Sequence, residues 1–185
     1  MKCSVYIATS ADGFIATPDG AVDWLHTTGN LDADMGSEDM GWQYFIESVD
    51  CMVMGRKCMD VIGSMNLTPE QWPYGDMLIV VLSRTVRTAP ASFHSETEIY
   101  SGDIQSLIKD LSSRGFKHVY VDGGATITSF LELGLINQMT ITQAPVLLGE
   151  GIPLFGKLER HVKLENPEVM AFPNDMIQVK YTVSS

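Results

Sequence analysis

The sequence has few cysteines, no clustered histidines and no long hydrophobic run, and each of these absences excludes a class of protein. It contains three cysteines among 185 residues. An odd number lying in or beside apolar runs predicts reduced core thiols rather than a disulfide framework. The four histidines are scattered singly, so we expect no zinc or other metal site. Without a run of transmembrane length or a signal-like N-terminus, the chain is predicted to be cytoplasmic.

Basic residues are scarce and unevenly distributed. The chain carries 12 Lys and Arg against 23 Asp and Glu, a formal net charge of −11, which argues against nucleic acid or an anionic membrane as a partner. No Lys or Arg lies between Cys3 and Gly55, whereas nine acids do. The first cations after Lys2 are Arg56 and Lys57, and the next is Arg84. Because these rare cations follow predicted strands, we expect them to face an anion.

Two glycines, Gly123 and Gly124, organise the centre of the sequence. They follow a short β-branched and aromatic run at 119–121 and precede a helical pattern that includes Ile127 and Phe130. A strand-to-helix corner without Cβ atoms lets a ligand approach the backbone, and a helix N-terminus favours phosphate. The dipeptide alone is equally typical of a tight turn with no ligand, so both interpretations stay open at this point.

Alternation of strand-like and helix-like segments predicts the fold class. Because most consecutive strands are separated by helices, we expect one α/β domain over residues 1–185, with a mostly parallel sheet and helices on both faces. The last two strands alternate enough to form an antiparallel pair. The predicted strands are 3–9, 51–54, 77–82, 98–100, 119–121, 137–146, 161–170 and 176–183, and the predicted helices begin near Ser37, after Gly55, at 103–114 and after Gly124.

Three of these strands end in groups that suit a phosphate. The groups are Gly55-Arg56-Lys57, Ser83-Arg84 and Gly123-Gly124. The carboxyl ends of parallel strands meet at one edge of a sheet, where ligands bind in such folds. We therefore expect a dinucleotide site at this edge. The glycine spacing differs from the G-x-G-x-x-G fingerprint, which disfavours a Rossmann dehydrogenase.

The ordered set of motifs resembles one known superfamily. Gly55-Arg56, Leu82-Ser83-Arg84 and Val121-Asp122-Gly123-Gly124 occur in the order and spacing of the dihydrofolate reductase superfamily. Segments 7–16 and 144–155 are most similar to the reductase, C-terminal, domain of the bacterial bifunctional riboflavin-biosynthesis deaminase-reductase and its stand-alone relatives. The resemblance covers essentially the whole chain. It implies a dihydrofolate reductase-like three-layer fold, with a central, mostly parallel sheet, an antiparallel C-terminal pair and helices on both faces.

The resemblance also implies NADPH as the cofactor. Residues at three places match the positions that contact this cofactor in the family. The adenosine 2′-phosphate would be held by Arg56, Ser83 and Arg84 beside Gly55 and Lys57, the pyrophosphate by Gly123, Gly124, Ala125 and Thr126, and the nicotinamide would be bracketed by Ala8 and Ile15.

Two acids match positions that would support protonation beside the hydride acceptor. Asp39 falls where folate reductases carry their substrate-binding carboxylate, and its alternative role is that of a solvated acid in the first turn of a helix. Asp122 competes with it, because riboflavin-pathway reductases often carry an acid before the paired glycines. The alternative role of Asp122 is to cap the following helix. The substrate itself would be framed by Trp24, Met40, Phe45 and Thr142.

Two departures from the family narrow the expected activity. No Lys or Arg lies between Asp60 and Leu82, so a folate tail lacks an anchor. The zinc-deaminase signature is absent, so the first step of the bifunctional enzyme is excluded. We therefore expect an NADPH-dependent reductase of a small pyrimidine- or pterin-like heterocycle, similar to 5-amino-6-(5-phosphoribosylamino)uracil reductase. The alternatives are dihydrofolate reductase and a non-catalytic NADPH-binding dimer.

The segment 143–155 predicts a homodimer. It is too apolar to lie exposed on a monomer, and a large bare apolar patch usually marks an interface. In the resembled family this part of the sheet meets its partner. The alternative is that the closing strands bury the segment within one chain.

Overall fold

The computed structural model describes residues 1–184, and most of its strands form one large sheet. The strands are β1 (Lys2–Ser10), β2 (Phe14–Ala16), β3 (Cys51–Gly55), β4 (Leu78–Leu82), β5 (Thr97–Tyr100), β6 (His118–Asp122), β7 (Gln138–Ala144), β8 (Ile152–Pro153), β9 (Lys163–Ala171) and β10 (Ile177–Ser184). The α-helices are α1 (Trp42–Ser48), α2 (Arg56–Ser64), α3 (Ile104–Ser113) and α4 (Gly124–Glu132). Among these helices of residues 1–184, none is long and apolar enough to cross a membrane.

The main sheet has eight strands in the order β5-β4-β3-β6-β1-β7-β10-β9. Neighbouring strands from β5 to β7 run parallel, whereas β10 runs antiparallel to β7 and to β9. The predicted parallel sheet with an antiparallel closing pair is therefore confirmed. Residues 51–54 of β3 are fully buried, which explains their continuous apolar character, since a parallel sheet is covered on both faces.

Helices cover both faces of this sheet, as predicted. On one face, Leu107 of α3 and Phe130 of α4 pack in a core that includes Val53 of β3. On the other face, Met59 of α2 packs in a second core with Met52 of the same strand. Because successive strand residues point to opposite faces, one buried strand contributes to both cores.

The predicted start of the first helix is wrong. α1 begins at Trp42 rather than near Ser37. Met40 and Gly41 have φ angles of 59° and 80°, and these left-handed values cannot start a right-handed helix. The preceding segment is therefore a turn, which places Asp39 outside the helix.

A small second sheet was not predicted. β2 pairs antiparallel with β8, and the amide of Leu154 donates to the carbonyl of Gly13 at 3.0 Å. These strands contain three and two residues, too few to show a periodic pattern in the sequence. The pair joins the turn after β1 to the segment after β7.

The segment 143–155 is only partly covered within the chain. Ala144 and Leu154 are buried, whereas Leu147 and Phe155 are large apolar side chains that lie exposed. Pairing of β8 with β2 covers part of this segment. The homodimer expected from its apolar character therefore stays a prediction, and so does the alternative of burial within one chain.

Candidate functional site

The carboxyl ends of three parallel strands lie side by side at one edge of the main sheet. β3 pairs with both β4 and β6, so that Gly55 lies beside Leu82 and the residue before Gly55 lies beside Asp122. Ser83 directly follows β4, and Gly123 directly follows β6. The structure therefore brings together the three groups that the sequence placed at strand ends.

The two helices that start at this edge, α2 and α4, pack closely at their N-termini. A Cβ atom on Gly55 would lie 3.0 Å from Oγ1 of Thr126, and one on Gly123 would lie 2.5 Å from the sulfur of Cys58. Gly123 also has a φ angle of 92°, which L side chains rarely adopt. A side chain at Gly55 would therefore be tightly packed, and one at Gly123 would require both a strained backbone and displacement of Cys58.

Gly124 has a similar constraint from a third segment. A Cβ atom there would lie 2.9 Å from the carbonyl oxygens of Pro153 and Leu154, and 3.2 Å from Cδ1 of Ile15. Within residues 1–184, no side chain caps α4, and Ala125 is exposed. Packing thus accounts for the glycine, while the first amides of α4 keep their capacity to bind an anion.

The predicted cations lie exposed around this corner. Arg56 and Lys57 begin α2, and Arg84 follows Ser83. The guanidinium of Arg56 donates to the carboxylate of Asp60 at 3.0 Å, so part of its charge is already compensated inside α2. Arg84 forms no ion pair with any residue in 1–184. Lys57 forms none there either, so Arg84 and Lys57 are the cations whose charge is left free to pair with a ligand.

Asp122 ends β6 directly before the paired glycines. Its side chain is half-buried, and burial raises the pKa of its carboxyl to about 6, against a smaller opposite effect of the Gly123 amide. The pKa of the Cys58 thiol and that of the Tyr74 hydroxyl are also raised, mainly by burial and secondly by the negative charge of Asp122. Gly123 is the N-cap of α4 and no side chain caps it, so the suggested capping role of Asp122 is wrong.

Asp39 has a different environment. Its side chain is exposed, and its two carboxylate oxygens accept hydrogen bonds from the amides of Gly41 and Gln43 at 2.9 Å and 2.8 Å. Both amides belong to the start of α1, where orphan N–H groups need acceptors. The geometry therefore gives Asp39 a helix-capping function, close to the alternative stated for it from the sequence.

The residues predicted to frame a substrate lie in two apolar groups. Trp24, on a short 3-10 helix at Asp23–His26, shares one cluster with Met40. The indole N–H of Trp24 is buried and finds no acceptor within residues 1–184, so water or a ligand must supply one. Phe45 lies in the second group, stacked on Tyr6 with ring centroids 5.0 Å apart.

Two residues that the sequence analysis did not single out join these groups. The hydroxyl of Tyr6 donates to the carbonyl of Met40 at 2.7 Å. The side-chain amide of Gln178 donates to the same carbonyl and to Oγ1 of Thr142, both at 2.9 Å. The sequence contains no signal for Gln178, because at the start of β10 Ile177 is exposed and Gln178 is buried, the reverse of the usual preference.

The two residues predicted to bracket a nicotinamide lie on different strands. Ala8 is half-buried in β1, beside Thr142 of β7. Ile15 is half-buried in β2 and directs Cδ1 towards Gly124 at the start of α4. Of the two, Ile15 adjoins the candidate pyrophosphate site, whereas Ala8 lies beside Thr142, one of the candidate substrate residues.

The turn that carries Ile15 is held by Asp12, which the sequence analysis also missed. The carboxylate of Asp12 accepts from the hydroxyl of Ser10 at 2.5 Å and from the amides of Leu148 and Gly149 at 3.1 Å and 2.8 Å. These hydrogen bonds, that of Ser10 foremost, lower the pKa of the Asp12 carboxyl. Asp12 therefore ties the turn after β1 to the segment after β7, on the side of the sheet where α4 begins.

This fold and this site define a class of protein. A mostly parallel sheet with an antiparallel C-terminal pair, and phosphate-suited groups at its carboxyl edge, is the dihydrofolate reductase-like arrangement, in the form found in reductases related to RibD. The chain belongs to the RibD C-terminal domain family, whose profile matches residues 2–178. The family resemblance and the fold expected from the sequence are thereby confirmed.

Relatives with known sequences agree with this assignment. The chain is 32% identical over 165 residues to the uncharacterized protein YwjB of Bacillus subtilis, covering 88% of this chain and 87% of that protein. It is 28% identical over 155 residues to the riboflavin biosynthesis protein RibD of Corynebacterium ammoniagenes, covering 78% of this chain but 43% of that protein. The similarity to that RibD therefore involves less than half of its length.

Solved structures show the same fold. A putative riboflavin biosynthesis protein from Shewanella sp. PV-4 superposes with a TM-score of 0.88 at 36% identity, with all of both chains covered. RibD of Acinetobacter baumannii superposes with a TM-score of 0.70 at 15% identity, covering 99% of this chain and 58% of that one. The second likeness shows the fold alone.

Proposed function

We propose that this protein is an NADPH-dependent reductase of a small pyrimidine- or pterin-like heterocycle, similar in reaction to 5-amino-6-(5-phosphoribosylamino)uracil reductase. Membership of the RibD C-terminal domain family supports an oxidoreductase in general terms. One observation carries the finer proposal. An uncapped helix N-terminus, exposed cations and a carboxyl with a pKa of about 6 meet at a single edge of the sheet.

The residues at this edge fit the phosphates of a dinucleotide. The first amides of α4 can donate to a pyrophosphate, because no side chain in 1–184 caps that helix. Ser83 and Arg84, with Arg56 and Lys57 across the corner, suit a 2′-phosphate. A nicotinamide cofactor would supply the hydride. The residues of this chain would bind it and hold its ring near Ile15 and Ala8.

We assign the proton-holding function to Asp122 and a structural one to Asp39. Reduction of a C=N bond needs a proton as well as a hydride, and an acid works best when its pKa lies near the operating pH. Asp122 adjoins the paired glycines and has a pKa of about 6. Asp39 is exposed, and both its oxygens bind amides at the start of α1.

The surroundings favour a substrate with few negative charges. A groove beside α2 is lined by Asp19 and Asp23 as well as by Asp60, which is paired with Arg56, and the charges of the first two acids would repel a phosphate. The buried indole N–H of Trp24 needs an acceptor, which the carbonyl or ring nitrogen of a heterocycle would provide. These features support an unphosphorylated pyrimidine or pterin more than a ribose phosphate or a folate with its anionic tail.

We further propose that the protein forms a homodimer through the β9 end of the main sheet. Val169 and Met170 of β9 and Ile177 of β10 are large apolar side chains that lie exposed. β9 is also an edge strand, and an edge offers unpaired backbone groups to a second copy.

Cofactor oxidation by the purified protein tests the proposal. NADPH affinity is first measured by fluorescence titration, and oxidation is then followed with 5-amino-6-(5-phosphoribosylamino)uracil, its dephosphorylated analogue, dihydrofolate and a quinone. We expect turnover with the pyrimidines, faster for the dephosphorylated one. Turnover of dihydrofolate alone would identify a dihydrofolate reductase. Binding without turnover of any compound would favour the non-catalytic dimer, and absence of NADPH binding would refute the proposal.

A further inference from the structure

Tyr6 and Gln178 come from β1 and β10 but act on one backbone carbonyl. The Tyr6 hydroxyl lies 2.7 Å and the Gln178 side-chain nitrogen 2.9 Å from the carbonyl oxygen of Met40. Gln178 is 8% exposed, so its amide is committed to partners inside the protein. Two donors from the main sheet thus bind one carbonyl group of an otherwise irregular segment.

The carbonyl group of Met40 belongs to a turn with an unfavourable backbone conformation. Met40 has a φ of 59° and Gly41 a φ of 80°, and a non-glycine residue adopts such a value only when its surroundings impose it. Asp39 holds the turn from the other side, since its carboxylate accepts from the Gly41 amide at 2.9 Å. The conformation of residues 39–41 is therefore set by contacts that are distant in sequence.

This turn also orients residues that are proposed to frame the substrate. The side chain of Met40 packs in the cluster of Trp24. The helix that begins immediately after the turn carries Phe45, which stacks on the Tyr6 ring at 5.0 Å. Gln178 also donates to Thr142. Met40, Phe45 and Thr142 are thus in direct contact with Tyr6 or Gln178, and Trp24 is connected to them through the side chain of Met40.

We propose that Tyr6 and Gln178 are positioning residues that set the substrate wall formed by Trp24, Met40 and Phe45. They act by holding the 39–41 turn in its left-handed conformation, and we expect them to govern substrate affinity while leaving NADPH affinity unchanged. This inference rests on the proposed reductase function. It assigns part of the substrate selectivity to two uncharged residues that lie outside the strand-end groups proposed to bind the cofactor.

The variant Tyr6→Phe tests this inference, with Tyr120→Phe as a matched control. The Tyr120 hydroxyl donates to the carbonyl of Tyr6 at 3.0 Å, and its ring lies 5.0 Å from that of Phe45. Each variant removes one tyrosine hydroxyl bonded to a backbone carbonyl in the same aromatic group. Of the two variants, only Tyr6→Phe removes a donor from the carbonyl of Met40, which keeps its hydrogen bond from Gln178.

Hydrogen–deuterium exchange gives a measurement that needs no substrate. We expect the amides of residues 40–45 to exchange about three- to tenfold faster in Tyr6→Phe, the effect of one lost hydrogen bond, and at the wild-type rate in Tyr120→Phe. Gln178→Leu should act in the same direction. The double variant should exceed the product of the two effects, because only there does the carbonyl of Met40 lose both of its side-chain donors. Equal exchange in Tyr6→Phe and Tyr120→Phe would overturn the inference.

Enzyme kinetics then test whether the conformation of the turn affects substrate affinity. With a pyrimidine that the wild type reduces, we expect KM to rise about three- to tenfold in Tyr6→Phe, while the Kd of NADPH stays the same in both variants. Faster exchange with an unchanged KM would refute the link to the substrate. If the wild-type protein binds no NADPH, the proposed function fails, whereas the exchange experiment still decides whether Tyr6 holds the turn.

Discussion

Asp122 has an environment that favours its neutral form. Burial raises the pKa of its carboxyl to about 6. The pKa of the Cys58 thiol and that of the Tyr74 hydroxyl are raised by their own burial first and by the charge of the ionised carboxylate second. In the unfolded chain an aspartate has a pKa of about 3.9, so between these values the folded state binds more protons. The contribution of Asp122 to stability is therefore fully present below about pH 4 and is lost as the pH rises through about 6.

The variant Asp122→Asn should remove this pH dependence. We expect it to be more stable than the wild type at pH 7 by roughly 1–2 kcal/mol, because no charge is then buried. Turnover should fall by roughly 10²-fold if the carboxyl holds the proton. Urea unfolding at acidic and neutral pH measures the first effect, and NADPH oxidation the second. Asp39→Asn is the control, because that acid is exposed and should change neither quantity strongly. An Asp122→Asn protein with unchanged turnover would remove the acid from the mechanism.

Arg84 allows a second prediction about the function of a single residue. A charged hydrogen bond to phosphate is worth about 1.5–3 kcal/mol, so Arg84→Ala should weaken NADPH binding about tenfold or more and leave NADH binding unchanged. Arg87→Ala removes an exposed cation from the same loop and serves as the control. Fluorescence titration with both cofactors measures the effect. Equal losses for NADPH and NADH would show that Arg84 does not bind the 2′-phosphate.

At the scale of elements, the packing of α2 against α4 depends on Gly123. Gly123→Ala should be destabilising for two reasons, a φ of 92° and a Cβ position 2.5 Å from the sulfur of Cys58. Gly115→Ala separates the two reasons, since Gly115 has a φ of 96° with open space around its Cβ position. We expect about 1–2 kcal/mol for Gly115→Ala and about 1–3 kcal/mol more for Gly123→Ala, measured by urea unfolding.

A double variant checks the cause of the additional loss. In Gly123→Ala/Cys58→Ala the sulfur is absent, so the additional destabilisation should largely disappear even though the backbone strain remains. If the double variant is less stable than the sum of its single changes, the contact with Cys58 is not the reason that position 123 requires glycine.

Strands and helices could be predicted where the sequence pattern that determines them is local. The strands of the parallel sheet and their strand-end groups follow from buried apolar runs that stop at glycine or a cation. The start of α1 did not follow, because the conformation of Met40 depends on donors at Tyr6 and Gln178 that are distant in sequence. The raised pKa of Asp122 was likewise inaccessible, since it depends on which side chains exclude water from the folded carboxyl.

At the scale of the whole molecule, the exposed apolar side chains of Val169 and Met170 mark the β9 end of the sheet. Sedimentation at micromolar concentration should show a dimer, and the double variant Val169→Lys/Met170→Lys should be monomeric, because like charges would face each other across the interface. Leu147→Lys provides the control, as Leu147 is 74% exposed but lies outside β9. A wild-type monomer, or a dimer disrupted only by the control, would contradict this assignment.

The central position of β1 has a consequence for how the chain folds. β1 lies between β6 and β7 in the sheet, and it pairs Lys2 with His118 and Ser4 with Gln138. β1 thus has both of its partners more than 100 residues further along the chain. Contacts of such high sequence separation require closure of long loops and make folding slow. During translation, one edge of β1 stays unpaired until β6 has left the ribosome and the other until β7 has, so the rate of synthesis sets the earliest moment at which the centre of the sheet can form.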